Sequence, residues 1–374
     1  MFLNSKMENI DRLQFSVCIH CPTYNQKGFI SDALNGFCIQ NTTFPFVCVI
    51  IDDASTDGEG ELIKEYVSEH FDIKNVDVFN TVDTEDFFFT FAQHKINKNC
   101  YFAVYLLRYN HYQLKQPKAR YYQEWNKRSK YIAICEGDDY WISPDKLERQ
   151  VSFLDNDSDY TMTCHRVQLY SVRKERMVGE NYCYSHCREV SIKDTINRTG
   201  LFISTCSILF RKDIYLNRPD YWTNCPVRDY PLQIACVLNG KAWYFDEAMA
   251  VYRVENSASW MGTQDWGNLG ADPERFKVIL SQVKMFKGFG KDYPQYSQLF
   301  TNKVADHINR NIPLRRVSID KVNAYLANFQ EDISRYNLRW KIDLFFRKSR
   351  LPFVRAIYQA VFTRGYLVRN KWYK

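Results

Sequence analysis

The chain has 374 residues, of which 45% are hydrophobic and 16% aromatic, enough for one large domain with an appendage or for two domains, and too apolar for a disordered chain. The net charge of +7 hides an asymmetry: residues 335–374 hold eleven Lys or Arg against the single acid Asp343, a local +10, so the rest of the chain sums to −3. A mildly acidic body with a basic tail points to an anionic partner for the tail, and no nucleic-acid module accompanies it. The twelve cysteines are scattered, several (Cys18, Cys48, Cys135) inside apolar runs, so no disulfide framework is expected and a reducing cytoplasm fits. Cys183, His186 and Cys187 lack a second pair at zinc spacing. Met1 to Arg12 is polar, unlike a signal peptide, and no apolar run reaches the roughly 18 residues of a membrane span.

The first half alternates strand-like and helix-like pieces. Phe15 to Cys21 reads as a strand, and Phe29, Ala33, Leu34 and Phe37 then fall at helical spacing. Phe46 to Asp52 is the next strand. Ser55-Thr56-Asp57-Gly58 follows with cap-type residues, before a helix burying Leu62, Ile63, Tyr66 and Val67. Val76 to Asn80 reads as a short strand, residues 83–98 as a helix or irregular insertion, and Tyr101 to Leu107 and Tyr131 to Cys135 as strands. Pro144 opens a helix whose buried stripe is Leu147, Val151 and Leu154. Such repeated strand–helix–strand units predict an α/β fold: a mixed, mainly parallel sheet flanked by helices. Beyond Tyr160 the pattern is richer in strands (160–170, 206–210, 241–245, 249–254), and from about Glu274 it is helical, interrupted by Gly288, Gly290 and Pro294.

Three strand ends carry the chemistry. The first is Pro22-Thr23-Tyr24-Asn25, the second Asp52-Asp53 with Asp57 beyond, and the third Glu136-Gly137-Asp138-Asp139-Tyr140-Trp141. In a parallel sheet all three open on the crevice at the carboxyl ends of the strands, where α/β proteins bind ligands. A diphosphate with a divalent cation suits acids placed there, because Mg²⁺ and Mn²⁺ prefer oxygen ligands. Asp57 reads better as a helix cap than as a ligand. The chain contains neither G-x-G-x-x-G nor G-x-x-x-x-G-K-[ST], which disfavours a dinucleotide site and a P-loop.

These three motifs, in this order and with Pro144 and Leu147 behind the last, resemble a family 2 glycosyltransferase of the GT-A fold over roughly residues 15–255. The resemblance implies transfer of a sugar, with inversion, from a nucleotide-diphosphate donor (UDP-sugar favoured) to a hydroxyl of a glycan or lipid-linked acceptor in bacterial surface-polysaccharide synthesis. It implies that Pro22, Thr23, Tyr24, Asn25, Asp52 and Asp53 line the nucleotide, and that Glu136-Gly137-Asp138 stands at the Asp-x-Asp motif. Asp138 would then be the ligand of a Mn²⁺ or Mg²⁺ cofactor. Glu136, Gly137, Asp139 and Trp141 would face the donor, with Trp141 stacking on a sugar or packing the loop. Asp229, in Arg228-Asp229-Tyr230-Pro231, takes the place of the general base. His165, Arg253, Arg108 and Lys118 are weaker candidates. The alternatives are a sugar nucleotidyltransferase, which should carry a Gly- and Arg-rich loop after the first strand, and a non-catalytic membrane-associated protein that only binds sugar nucleotide.

The expected domains are 1–255, the GT-A domain, and 256–374, a helical extension. From Arg339 onward the tail mixes bases with large apolar residues up to Phe362. That composition suits a basic amphipathic helix lying on an anionic membrane, or a helix packed on the protein itself. The expected location is cytoplasmic, peripheral on the inner face of the membrane.

Overall fold

The computed structural model describes residues 12–198, 200–256, 273–312, 318–349, 351, 353 and 354. The described strands are β1 (Phe15–Thr23), β2 (Phe46–Asp52), β3 (Phe79–Asp83), β4 (Phe87–Gln93), β5 (Cys100–Leu107), β6 (Ser129–Ile134), β7 (Tyr140–Trp141), β8 (Tyr160–Ser171), β9 (Arg176–Asn181), β10 (Arg188–Glu189), β11 (Leu209–Arg211) and β12 (Lys241–Val254). They form one sheet in the order β10-β12-β8-β11-β6-β1-β2-β5-β4-β3, with β7 on β12 and β9 on β8.

The centre, β6-β1-β2-β5, is wholly parallel. Parallel strands are covered on both faces and so read as unbroken apolar runs. In β2 all seven residues are buried. Phe46, Cys48 and Ile50 enter the core on one face of the sheet, and Val47, Val49 and Ile51 enter a second core on the other. Helix Ile30–Cys38 covers the first face with Ala33, Leu34 and Phe37, and helix Ala119–Lys127 covers the second with Tyr121, Tyr122 and Trp125. Truncating Ile50 to Ala would cost about 2–5 kcal/mol.

The flanks mix antiparallel pairs with the parallel pair β12-β8, and here the structure corrects three expectations. Residues 87–93 form β4, an antiparallel strand between β3 and β5, rather than a helix or an irregular insertion. The aromatic run Phe87-Phe88-Phe89 fits a pleated surface better than a helix. The short strand expected at 76–80 starts three residues later, at Phe79. The segments 241–245 and 249–254 are one strand, β12, whose register slips at Phe245/Ala248 and Ala248/Ala250 break the periodicity read from sequence.

The chain divides into two compact units, one of residues 1–217 and 232–263, the other of 218–231 and 264–374. Helices dominate the described part of the second unit: Pro273–Asp292, Ser297–Arg310, Ile319–Ala327, Gln330–Ser334 and Leu338–Arg347. Gly288 does not break the first of these. It lets the helix press on the Tyr221 ring, from which a Cβ at that position would lie 2.4 Å.

Candidate functional site

Strand register assembles the site. Thr23, the last residue of β1, stands opposite Asp52, the last residue of β2. On the other side of β1, His20 pairs with Ile134 of β6. The pairing runs on beyond the strands: Cys135 N–H donates to the His20 carbonyl at 3.0 Å, Gly137 N–H to that of Pro22 at 3.2 Å, and Asp53 N–H to that of Thr23 at 3.1 Å. Thr23, Asp52 and the 136–139 loop thus sit together at the carboxyl edge of the sheet, as the sequence predicts. Gly137 crosses so close to Thr23 that a Cβ there would lie 2.2 Å from Thr23 Oγ1.

The loop after β1 is fastened to the loop after β2. Asn25 N–H donates to Ser55 Oγ at 2.8 Å, Thr56 N–H to Asn25 Oδ1 at 2.8 Å, and Lys27 N–H to Asp57 Oδ2 at 3.0 Å. Asn25 and Ala54 both adopt positive φ, at 54° and 60°. Asp57 also accepts the Glu59 N–H at 3.0 Å, so it serves the start of helix Glu59–His70, as expected. Tyr24 is exposed at the rim.

Asp52 is buried and takes the Ser55 N–H and hydroxyl on Oδ1. Glu59, fully buried, accepts from the Thr23 hydroxyl, from Gln26 N–H at 2.9 Å and from Ser55 Oγ at 2.9 Å. Burial pushes both carboxyl pKa values up. No sequence pattern marks Glu59, because a Glu in the first turn of a helix reads as a solvated partner of the helix dipole.

Asp53 is spent elsewhere. Its oxygens accept His111 N–H at 2.7 Å, Tyr112 N–H at 3.1 Å and Lys118 Nζ at 2.8 Å. It anchors the 109–118 loop. Lys118 is thereby committed, and Arg108 pairs with Asp83 at 2.6 Å.

In the acidic loop Glu136 is exposed, whereas Asp138 and Asp139 are buried. Asp138 Oδ2 takes the Asn256 amide at 3.1 Å, and Asp139 Oδ1 takes the Arg253 N–H at 2.8 Å. Burial raises the Asp138 carboxyl pKa against the opposing pull of the Asn256 amide. Burial together with the neighbouring Asp138 charge raises Asp139 much further. Arg253 braces this loop and is not a free fork for phosphate: its guanidinium lies 4.8 Å from the Phe29 ring and 4.6 Å from that of Tyr140, donates to the Asp138 carbonyl at 2.7 Å, and pairs with Asp32.

Burial decides the parts of two more residues. Trp141 is only 1% exposed; its ring packs edge-on against Phe37, and its indole N–H donates to the Cys206 carbonyl at 2.9 Å, so it offers no face to a sugar. His165 is buried with its pKa depressed by desolvation, and Nδ1 meets the Arg166 carbonyl at 2.7 Å; it is a core histidine.

No group of three or more His, Cys, Asp and Glu among the described residues could hold a metal unaided. Asp138 fits a hard cation in another way. Mg²⁺ and its congeners commonly take one or two carboxylates and complete their shell with substrate phosphates and water. Asp229 opens helix Asp229–Leu238 and belongs with the second unit; desolvation raises its carboxyl pKa, and the Tyr230 N–H opposes the rise.

A mixed sheet with a parallel centre, flanked by helices, gives the chain the GT-A fold. TarS of S. aureus, residues 1–349 in complex with UDP, shares that fold at TM-score 0.55 and 14% identity over 94% of this chain and 92% of that one. The mannosyltransferase PcManGT from Pyrobaculum calidifontis, in complex with GDP-Man and Mn²⁺, does so at TM-score 0.50 and 13% identity over 96% and 84%. Residues 18–81 match the model of Glycosyl transferase family 2. Uncharacterized proteins of Mycobacterium tuberculosis and Mycobacterium bovis are 29% identical over 238 residues, 64% of this chain, which spans 58% of their length.

Proposed function

We propose that the protein is a metal-dependent, inverting glycosyltransferase that moves a sugar from a nucleotide-diphosphate donor, UDP-sugar foremost, to a hydroxyl of a glycan or lipid-linked acceptor in surface-polysaccharide synthesis. The observation that carries this reading is the meeting of Thr23, Asp52 and the Asp138 loop at one sheet edge. UDP in the TarS complex and GDP-Man with Mn²⁺ in the mannosyltransferase complex support a nucleotide donor and a divalent cation.

In this mechanism Thr23, Asn25 and Asp52 bind the nucleoside, and Asp138 holds Mn²⁺ or Mg²⁺, which when bound would neutralise charge on the departing diphosphate. Arg253 and Asn256 keep the Asp138 loop in place. Asp229 takes the proton of the acceptor hydroxyl, a role suited to a carboxylate whose pKa burial raises. The Asp138→Asn variant tests the reading. A folded variant should lose Mn²⁺-dependent binding and turnover of UDP-sugars; unchanged activity would defeat the metal assignment.

The basic tail supports a peripheral membrane role on the cytoplasmic face. Helix Leu338–Arg347 buries Leu344 and exposes Leu338, Ile342 and Phe345 along one stripe, among Arg339, Lys341 and Lys348. Exposed apolar anchors beside bases suit an anionic bilayer surface. No helix among the described residues is long and apolar enough to cross a membrane. Residues 355–374, which include Ile357, Tyr358, Val361 and Phe362 of the tail, lie outside the described residues.

A further inference from the structure

We propose that Tyr112 is a second stacking wall of the nucleoside site: the loop after β5 brings it to the side of Asp52 opposite Tyr24, so that a base bound at Asp52 lies between two aromatic faces. This rests on the nucleotide-donor reading given above.

Strand order sets the spacing. β2 lies between β1 and β5, and Thr23, Asp52 and Leu106 stand in one row across the three strands. Neighbouring strands are about 4.8 Å apart, so the ends of β1 and β5 flank Asp52 at about 10 Å from each other. A base between two rings needs walls about 7 Å apart, twice the roughly 3.5 Å of a stacking contact. Side chains leaning in from the two outer strand ends meet that span. Tyr24 follows Thr23 on the β1 side. On the β5 side, Arg108 N–H first donates to the Asp86 carbonyl at 2.9 Å, on the flank away from β2. The chain then returns: His111 and Tyr112 donate their N–H groups to Asp53 at 2.7 and 3.1 Å, which brings Tyr112 to the residue next to Asp52.

The loop is a fixed support. Asp53 is buried and also holds Lys118 Nζ at 2.8 Å. His111 is buried; its Nδ1 meets the Tyr109 carbonyl at 2.9 Å, and its Nε2 meets Arg120 Nη2 at 3.0 Å and the Tyr121 hydroxyl at 3.2 Å. Gln116 N–H closes the loop on the His111 carbonyl at 2.8 Å, and Lys115 N–H on that of Tyr112 at 3.2 Å. On this support the Tyr112 side chain is 68% exposed, and Tyr24 is 36% exposed. Among the described residues neither ring stacks on another ring or on a cation. A large aromatic face held in place and left bare loses little freedom when a planar ligand covers it. Every base has a π-face, so Tyr112 supplies affinity while Asp52 reads hydrogen bonds.

Calorimetric titration of the full chain with UDP and Mn²⁺, beside thermal melting, tests the proposal. Tyr112→Ala should weaken UDP binding by about tenfold, the worth of one base–aromatic stack. Tyr112→Phe keeps the ring and should bind as wild type does. Tyr109→Ala removes the neighbouring exposed ring, which leaves β5 on the β4 side, and should not change UDP affinity. All three variants should keep the wild-type melting temperature, because exposed rings support little packing. Unchanged UDP affinity in Tyr112→Ala overturns this inference and leaves the nucleotide-donor reading standing. A lowered melting temperature in Tyr112→Ala, or an equal loss of affinity in Tyr109→Ala, would assign the effect to the loop as a whole and overturn it as well. Failure of wild type to bind UDP overturns both readings.

Discussion

Gly137→Ala is the sharpest test of how the fold builds the site. The new methyl would lie 2.2 Å from Thr23 Oγ1, 2.7 Å from Thr23 Cβ and 3.2 Å from Ile30 Cδ1. Carbon and oxygen atoms pack comfortably at roughly 3.5 Å, so about 1.3 Å of movement is needed. Thr23 cannot yield: it ends a buried strand, and its hydroxyl is bound to Glu59. The 136–139 loop must back away, which stretches the Gly137 N–H bond to Pro22, 3.2 Å long in the native protein, and drags Asp138 with it. Overpacking of this size costs about 1–3 kcal/mol of stability. The functional loss should be larger, because a misplacement of about 1 Å in a reacting site can cost about 10²-fold in rate. Thermal melting and UDP titration with Mn²⁺ read the two effects separately. Adding Thr23→Gly should recover stability without recovering nucleotide binding. A Gly137→Ala protein with native melting temperature and native UDP affinity would refute the close approach of the two strand ends.

Three further outcomes follow from other residues. Asp229→Asn should keep donor binding and lower transfer by about 10²- to 10⁴-fold; weakened donor binding with normal transfer would reassign the residue. Lys146 is fully buried, donates to Gln150 Oε1 at 2.7 Å, and has its pKa lowered from 10.5 to about 7 by desolvation. Since the folded value lies below the unfolded one, the unfolded chain holds the extra proton between those pH values, and stability should rise with pH there by about 1.4 kcal/mol per unit from this group. Lys146→Met should accordingly raise the melting temperature more at pH 7 than at pH 9; equal gains at both would contradict the buried cation. Replacing Leu338, Ile342 and Phe345 together by Ser should reduce flotation with anionic vesicles, and unaltered flotation would favour a helix that only packs on the protein.

The legibility of this chain follows from the range of the forces involved. The central strands were readable because burial on both faces forces an unbroken apolar run, as in Phe46–Asp52. Their polar ends were readable because carboxylates interrupt such runs only where water or a ligand meets them. Trp141 and Asp53 turn away from the acidic loop and the second strand end for a shared reason: position next to a motif does not fix which way a side chain points. Trp141 enters β7 and pairs with Ala250 of β12, more than a hundred residues away, and that pairing turns its ring into the core. Asp53 is held by the N–H groups of the 109–118 loop, whose path local propensity does not encode.

Arg253 and Asp32 carry the point furthest, because they meet across 221 positions to brace the loop that holds Asp138. No local pattern marks Asp32 as anything but a helix-start acid. What the sequence could not disclose is therefore mostly the scaffolding of the site and less its chemistry. The groups proposed to meet the donor are few and sit at strand ends, whereas the groups that hold them (Glu59, Arg253, Asn256, Asp32) are recruited from wherever the fold brings a matching donor or acceptor. A substitution at one of these holding residues should disturb binding geometry while leaving every motif residue in place, which is why Glu59 and Arg253 test the site more searchingly than the motif acids do.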